Sequence, residues 1–125
     1  MLPLYIKELL APYFPEIDLE DICIREPIPW YVPIKAVAYT DRNDIYFAPG
    51  RFDPDSPEGI AIIAHELSHC AQYKNYGTWR FRALYIGSWL KEFLRYRSLY
   101  TAYRRNRFEI AARVIEKKVL ADLSD

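Results

Sequence analysis

GIAIIAHELSHCAQY, residues Gly59–Tyr73, contains an H-E-x-x-H motif formed by His65, Glu66 and His69. Two residues four apart on an α-helix project from nearly the same face, so a helix here would offer both imidazoles to one metal ion. Glu66 projects about 100° away from His65 on such a helix, which places its carboxylate to hydrogen-bond a water rather than to bind the metal. The motif therefore predicts a zinc site at which a carboxylate accepts the proton of an attacking water.

The same spacing can arise by chance on a surface helix, because the motif is short. Its neighbours are uncharged and mostly apolar, which indicates a helix that is buried on most sides; they are Ile60, Ile62, Ile63, Ala64, Leu67, Cys70 and Ala71. Buried polar side chains without partners are costly. Metal ligation would provide the partners, and we favour it over chance.

The third protein ligand cannot be a histidine, because the chain has only two. It must be a carboxylate, unless Cys23 or a tyrosine serves, and the site is then of the His₂Glu type with one position open to water. We favour Glu109, which opens the last predicted helix next to the small residues Ala111 and Ala112.

Other assignments for this carboxylate stay open. If Asn106 caps the last helix, Glu109 is the third helical residue and completes a capping-box-like arrangement instead. Glu92 and Glu116 are further candidate ligands. Asp41 and Asp44 are weaker ones because they flank a predicted turn.

Length and charge restrict the class of protein. A chain of 125 residues fits one small domain, residues 1–125, with one modest core. The formal net charge is zero, so bulk electrostatics do not favour nucleic acid as a partner. We see no signal peptide and no transmembrane segment, and we expect a cytoplasmic protein. Two cysteines are too few for a disulfide framework.

The first half of the chain predicts one helix and three strands. Helical spacing of apolar residues covers Leu2–Phe14. The strand candidates are Asp21–Glu26, Ile34–Thr40 and Asp44–Ala48, and a short polar turn makes a hairpin of the last two. Ser56 is a good N-cap for the motif helix that follows.

The second half predicts helices, from about Thr78 to about Tyr96 and from about Arg107 to Leu123. Between Thr78 and Lys118 there are eleven Arg or Lys residues and three Glu. This aromatic, basic and amphipathic stretch could bind a membrane surface or a partner protein. We favour the simpler interpretation, in which its apolar residues pack against the motif helix and its arginines face solvent; that apolar stripe comprises Phe81, Leu84, Tyr85, Trp89 and Phe93.

The pattern resembles the gluzincin metallopeptidases, above all their smallest members, the minigluzincins, and related bacterial H-E-x-x-H domains of unknown function. The resemblance spans about residues 34–121. It includes AYTDRNDIYFAPGRFDPDSPEGIAIIAHELSHCAQY and RRNRFEIAA, in which Glu109 matches the family's third ligand. It implies an α+β fold in which a small, mainly antiparallel three-stranded sheet packs on the motif helix, with an N-terminal helix and further C-terminal helices. It also implies that His65, His69 and Glu109 bind Zn²⁺.

By the same resemblance, Glu66 is the general base and acid of a peptidase that acts on a peptide or protein substrate. Larger gluzincins use an additional His or Tyr to hold the developing oxyanion, and no spare histidine exists here. Tyr103 is our candidate for this role, with Tyr100 as a second choice. Small members of such families can be latent, with a chain terminus covering the zinc. The alternative function is a non-catalytic, zinc-stabilised module that binds a partner protein.

Overall fold

The computed structural model of the chain describes residues 1–32 and 36–124, and it has an α+β fold. The helices are α1 (Leu4–Leu10), α2 (Pro57–Tyr76), α3 (Thr78–Tyr96), α4 (Leu99–Arg105) and α5 (Arg107–Leu123). The strands are β1 (Cys23–Arg25), β2 (Ala38–Asp41) and β3 (Asp44–Phe47). Two short 3-10 helices, Ala11–Tyr13 and Leu19–Asp21, lie between α1 and β1. None of the helices in these ranges is long and apolar enough to cross a membrane.

The three strands form one mixed sheet in the order β1-β3-β2. β2 and β3 are the predicted antiparallel hairpin, and their two-residue turn contains Arg42 at a φ of +57°. β1 pairs with β3 in parallel, so the sheet has one pair of each kind. The predicted second strand began at Ile34, which lies outside the described residues.

The motif helix α2 starts as its sequence predicts. The Ser56 hydroxyl accepts a hydrogen bond from the Gly59 backbone amide at 3.0 Å, and Pro57 occupies the first helical position. Gly59 has no room for a side chain, because a Cβ there would lie 2.0 Å from the Asp53 carbonyl oxygen. These contacts fix where α2 begins, and hence which faces its two histidines occupy.

The main core lies between α1, the sheet, α2 and α5. Side chains that are almost fully buried come from all of these elements: Ile6, Leu10, Ile22, Ile45, Phe47, Ile63, Leu67 and Val119. Of the two small residues next to Glu109 on α5, Ala112 is buried and Ala111 is exposed. Packing of α5 on α2 brings the helix that carries Glu109 against the motif.

Helix α3 matches its predicted bounds but has two apolar stripes rather than one. The expected stripe faces inward, with Phe81 buried and its other members half-buried. A second stripe faces solvent, and it was not anticipated. Trp79, Ile86, Leu90 and Leu94 are 78%, 62%, 46% and 54% exposed.

Candidate metal centre

Three predicted ligands meet between α2 and α5. His65 and His69 point from one face of α2, and Glu109 reaches them from the first turn of α5. Glu109 Oε1 lies 2.9 Å from His65 Nε2 and 3.0 Å from His69 Nε2. All three residues are buried, with 3–7% of their surface exposed. Each offers one ligand atom, and these atoms lie within 4.8 Å of one another, so the group could hold a metal ion.

The outward-facing ring nitrogens fix the orientation of both imidazoles. His65 Nδ1 lies 2.7 Å from Glu116 Oε1, and His69 Nδ1 lies 2.8 Å from Gln72 Oε1. The Gln72 amide nitrogen donates to the Phe108 carbonyl oxygen at 3.0 Å, which orients its own oxygen toward His69. A carboxylate and an amide oxygen only accept hydrogen bonds, so both Nδ1 atoms donate. In the neutral imidazoles, both Nε2 atoms then present lone pairs to the centre of the site.

This arrangement of donor atoms fits a cation. Two Nε2 atoms and one carboxylate oxygen converge. When a metal displaces the protons from the two Nε2 atoms, their lone pairs face the same point as that oxygen. Ligands about 2.0–2.1 Å from a tetrahedral zinc are about 3.3–3.4 Å apart, only slightly farther than the distances found here. Metal-bound histidines almost always donate their other nitrogen to a carboxylate, an amide or a carbonyl, as both histidines do in this structure.

The electrostatics of the cluster favour positive charge at its centre. Burial alone would lower the pKa of His65, but its hydrogen bonds to Glu109 and Glu116 outweigh burial and raise that pKa to about 10. Burial likewise opposes ionisation of Glu109, yet the charge of His69 and the hydrogen bonds from both histidines hold its pKa well below the usual range. Glu109 is therefore an anion, the form in which a carboxylate binds metal.

The second oxygen of Glu109 is also bound. The Tyr85 hydroxyl donates to Glu109 Oε2 at 2.6 Å. The fully buried Asn106 caps α5 by accepting from the Phe108 amide, and its own amide donates to the Tyr85 carbonyl oxygen at 3.1 Å. In the part of the chain that the structure describes, the Glu109 carboxylate contacts His65, His69 and Tyr85. These contacts favour a metal ligand over a capping-box residue.

Glu66 lies beside the cluster and is not part of it. Its side chain is buried, and Oε1 accepts a hydrogen bond from the Thr40 hydroxyl at 2.9 Å. Burial raises the pKa of Glu66, against the opposing effect of the two nearby histidines. A raised pKa makes this carboxylate a stronger base than an exposed glutamate, which suits it to accept a proton.

The two candidate tyrosines lie in different surroundings. Tyr103, on α4, is half-buried, and burial followed by the charges of Glu109 and Glu66 raises its pKa. Tyr100 is 70% exposed, which makes it the weaker candidate.

The remaining candidate ligands lie elsewhere. Glu92 is 3.6 Å from Arg105, Asp41 is 2.5 Å from Arg82, and Asp44 is 3.1 Å from Arg25. Cys23 is an exposed free thiol on β1. Glu116, a further candidate, contacts the far nitrogen of His65 rather than the shared centre.

Three residues that support the site were not predicted from the sequence: Thr40, Gln72 and Tyr85. Gln72 follows His69 by three positions on the same helix, and that spacing signals a possible contact. Thr40 and Tyr85 reach the site only through tertiary packing, and no local pattern indicates them.

Comparison with known proteins adds one partial match. Residues 30–77 match the family model described as the eCIS core domain, a family of unknown function. The match covers β2, β3 and α2, including both histidines and Glu66, and ends before Glu109. No curated protein matches the chain, and no solved structure does. The resemblance to gluzincin peptidases thus stays a hypothesis.

Proposed function

We propose that this protein is a zinc-dependent peptidase in which His65, His69 and Glu109 hold the metal. The observation that carries the proposal is the convergence of the two Nε2 atoms and Glu109 Oε1, with both Nδ1 atoms held by acceptors. Two imidazoles and one carboxylate also suit Fe(II). The helical H-E-x-x-H motif and its likeness to gluzincins favour zinc.

Zinc in such a site supplies a Lewis acid that lowers the pKa of a bound water toward about 7. The protein supplies the base. Glu66 lies next to the ligands without belonging to them, and Thr40 holds one of its oxygens at 2.9 Å. Its other oxygen is left to accept the proton of a water that attacks a peptide carbonyl and to return it to the leaving amine.

Strand β2 offers a place for a peptide substrate. It is an edge of the three-stranded sheet, and its Thr40 contacts Glu66. The Ala48 amide donates to the Val37 carbonyl at 2.9 Å, so the alternation of an antiparallel pair turns the backbone groups of Ala38 and Thr40 away from β3. An extended peptide could pair with these groups by β-augmentation, close to the general base.

Tyr103 is our proposal for the group that holds the developing oxyanion. Burial, followed by the charges of Glu109 and Glu66, raises its pKa, which keeps the phenol protonated and able to donate. Tyr85 is less suited to this role because its hydroxyl already donates to Glu109.

One observation favours a second candidate, the non-catalytic zinc-stabilised module. His65, Glu66, His69 and Glu109 are each at most 7% exposed. A peptidase must admit a substrate to these groups, so a closed site fits either a latent enzyme or a metal centre that only stabilises the fold.

Substitution of the base separates the two candidates. Glu66→Gln keeps the size of the side chain but cannot take a proton, so it should keep the metal and lose hydrolysis of a mixed peptide library. Glu58→Gln is the matched control, because Glu58 is an exposed glutamate in the first turn of the same helix. Hydrolysis of the library by Glu66→Gln would contradict the peptidase proposal. A zinc-loaded parent that does not hydrolyse the library would contradict it as well.

A further inference from the structure

The exposed stripe of α3 is a feature that the metal centre does not use. Its members Trp79, Ile86, Leu90 and Leu94 are seven, four and four residues apart, so they lie on one side of the helix. From Trp79 to Leu94 the stripe runs about 22 Å along the helix. Contiguous exposed apolar surface of this kind marks an interaction site more often than isolated exposed residues do.

Basic residues lie beside this stripe. Residues 78–107 contain eight Arg or Lys and a single acidic residue, Glu92, although the whole chain has a net charge of zero. Arg80, Lys91 and Arg95 are exposed and project about 100–160° from Trp79 around the helix axis, along one border of the stripe. The chemistry that complements this surface is therefore apolar at its centre and anionic beside it.

Shape and charge argue against a second copy of the chain as the occupant. Two α3 helices that packed through their stripes would bring their basic borders together, and like charges at an interface are unfavourable. A partner helix usually binds in an apolar groove formed by several elements, whereas the four residues of the stripe all lie on one helix. An amphipathic helix can bind a lipid bilayer through its apolar side. If the lipids are anionic, they also attract the basic residues beside the stripe.

We propose that α3 binds the surface of an anionic phospholipid bilayer, with the helix lying in the interface and Trp79, Ile86, Leu90 and Leu94 inserted below the headgroups. Trp79 suits this position because tryptophan concentrates at membrane interfaces. Arg80, Lys91 and Arg95 contact the lipid phosphates and carboxylates. This proposal is independent of the peptidase proposal, since none of these residues touches the metal centre.

The test is co-sedimentation of the full chain with vesicles of two compositions, phosphatidylcholine alone and equal parts of phosphatidylcholine and phosphatidylserine. We expect binding to the phosphatidylserine vesicles, weakening as salt is added, and much weaker binding to phosphatidylcholine alone. Lys91→Glu should weaken binding at least fivefold, because each basic residue near an anionic surface contributes about that factor.

Leu94→Glu tests the apolar stripe, and Leu4→Glu is its matched control. Leu4 is also an exposed leucine on a helix, 64% exposed against 54% for Leu94, but it lies on α1 and is not part of the α3 stripe. Leu94→Glu should weaken vesicle binding at least tenfold, and Leu4→Glu should leave it unchanged. Far-ultraviolet circular dichroism of both variants should show the helix content of the parent, which excludes general unfolding as the cause of lost binding.

Three results would overturn the proposal: no binding to phosphatidylserine vesicles, equal binding to both compositions, or equal losses from Leu94→Glu and Leu4→Glu. Concentration-dependent dimerisation that Leu94→Glu abolishes, without vesicle binding, would assign the stripe to a second copy and refute the membrane proposal.

Discussion

The contact between His65 and Glu116 gives a prediction of defined size. Glu116 does not reach the centre of the site, but its Oε1 lies 2.7 Å from His65 Nδ1 and holds the ring so that Nε2 points inward. Loss of such an outer contact typically weakens metal binding 10–100-fold, which corresponds to about 1.4–2.7 kcal/mol. Glu116→Gln should show a loss in this range, because glutamine keeps the size and one acceptor but removes the charge.

Competition with a chromogenic zinc chelator measures this change, and the stoichiometry should stay at one metal per chain. Glu92→Gln is the matched control, since Glu92 is also a half-buried glutamate on a helix, paired with Arg105 outside the cluster. Parental affinity in Glu116→Gln would refute an orienting role for Glu116. Complete loss of metal would show instead that Glu116 is itself a ligand.

Three further predictions concern the site and the helix that carries it. Tyr85→Phe removes the donor to Glu109 Oε2, and it should weaken zinc binding up to about tenfold in the same chelator competition while the fold is kept. Gly59→Ala should lower the free energy of unfolding in urea because its Cβ meets the Asp53 carbonyl, whereas Gly87→Ala, with nothing near its Cβ, should raise it by up to about 1 kcal/mol. Zinc binding at neutral pH should release protons and become tighter as pH rises, because the His65 environment raises its pKa to about 10 and a histidine must lose a proton to bind metal. Calorimetry in buffers of different ionisation enthalpy measures the number of protons released.

Local patterns predicted the helix that carries the motif and the last helix. Ser56, Pro57 and the apolar run after them signal the start of α2, and the two histidines share a face because their spacing matches the helical period. Glu109 could be singled out because the chain has no third histidine and because α5 begins with a capped turn. The hairpin of β2 and β3 could likewise be predicted from its short polar turn.

Features that depend on tertiary packing could not be predicted. Helix α4 is separate from α3 because Arg97, directly after α3, has a left-handed φ of +55°. No glycine or proline at this point of the sequence indicates the break. The parallel pairing of β1 with β3 joins strands that are about twenty residues apart. The exposed and the buried stripe of α3 are both apolar, so the sequence does not show which of them faces solvent. That depends on which side of α3 packs against the rest of the protein.

The most direct test of the metal centre is the zinc content of the purified parent and of Glu109→Gln, prepared side by side without chelator. Glutamine fills the same space and can still accept from Tyr85, but it is a neutral and poor ligand. The site described here predicts about one zinc per chain in the parent, together with a folded Glu109→Gln protein that has lost most of its zinc. A parent that refuses added zinc, or a Glu109→Gln variant with parental zinc content, would contradict it.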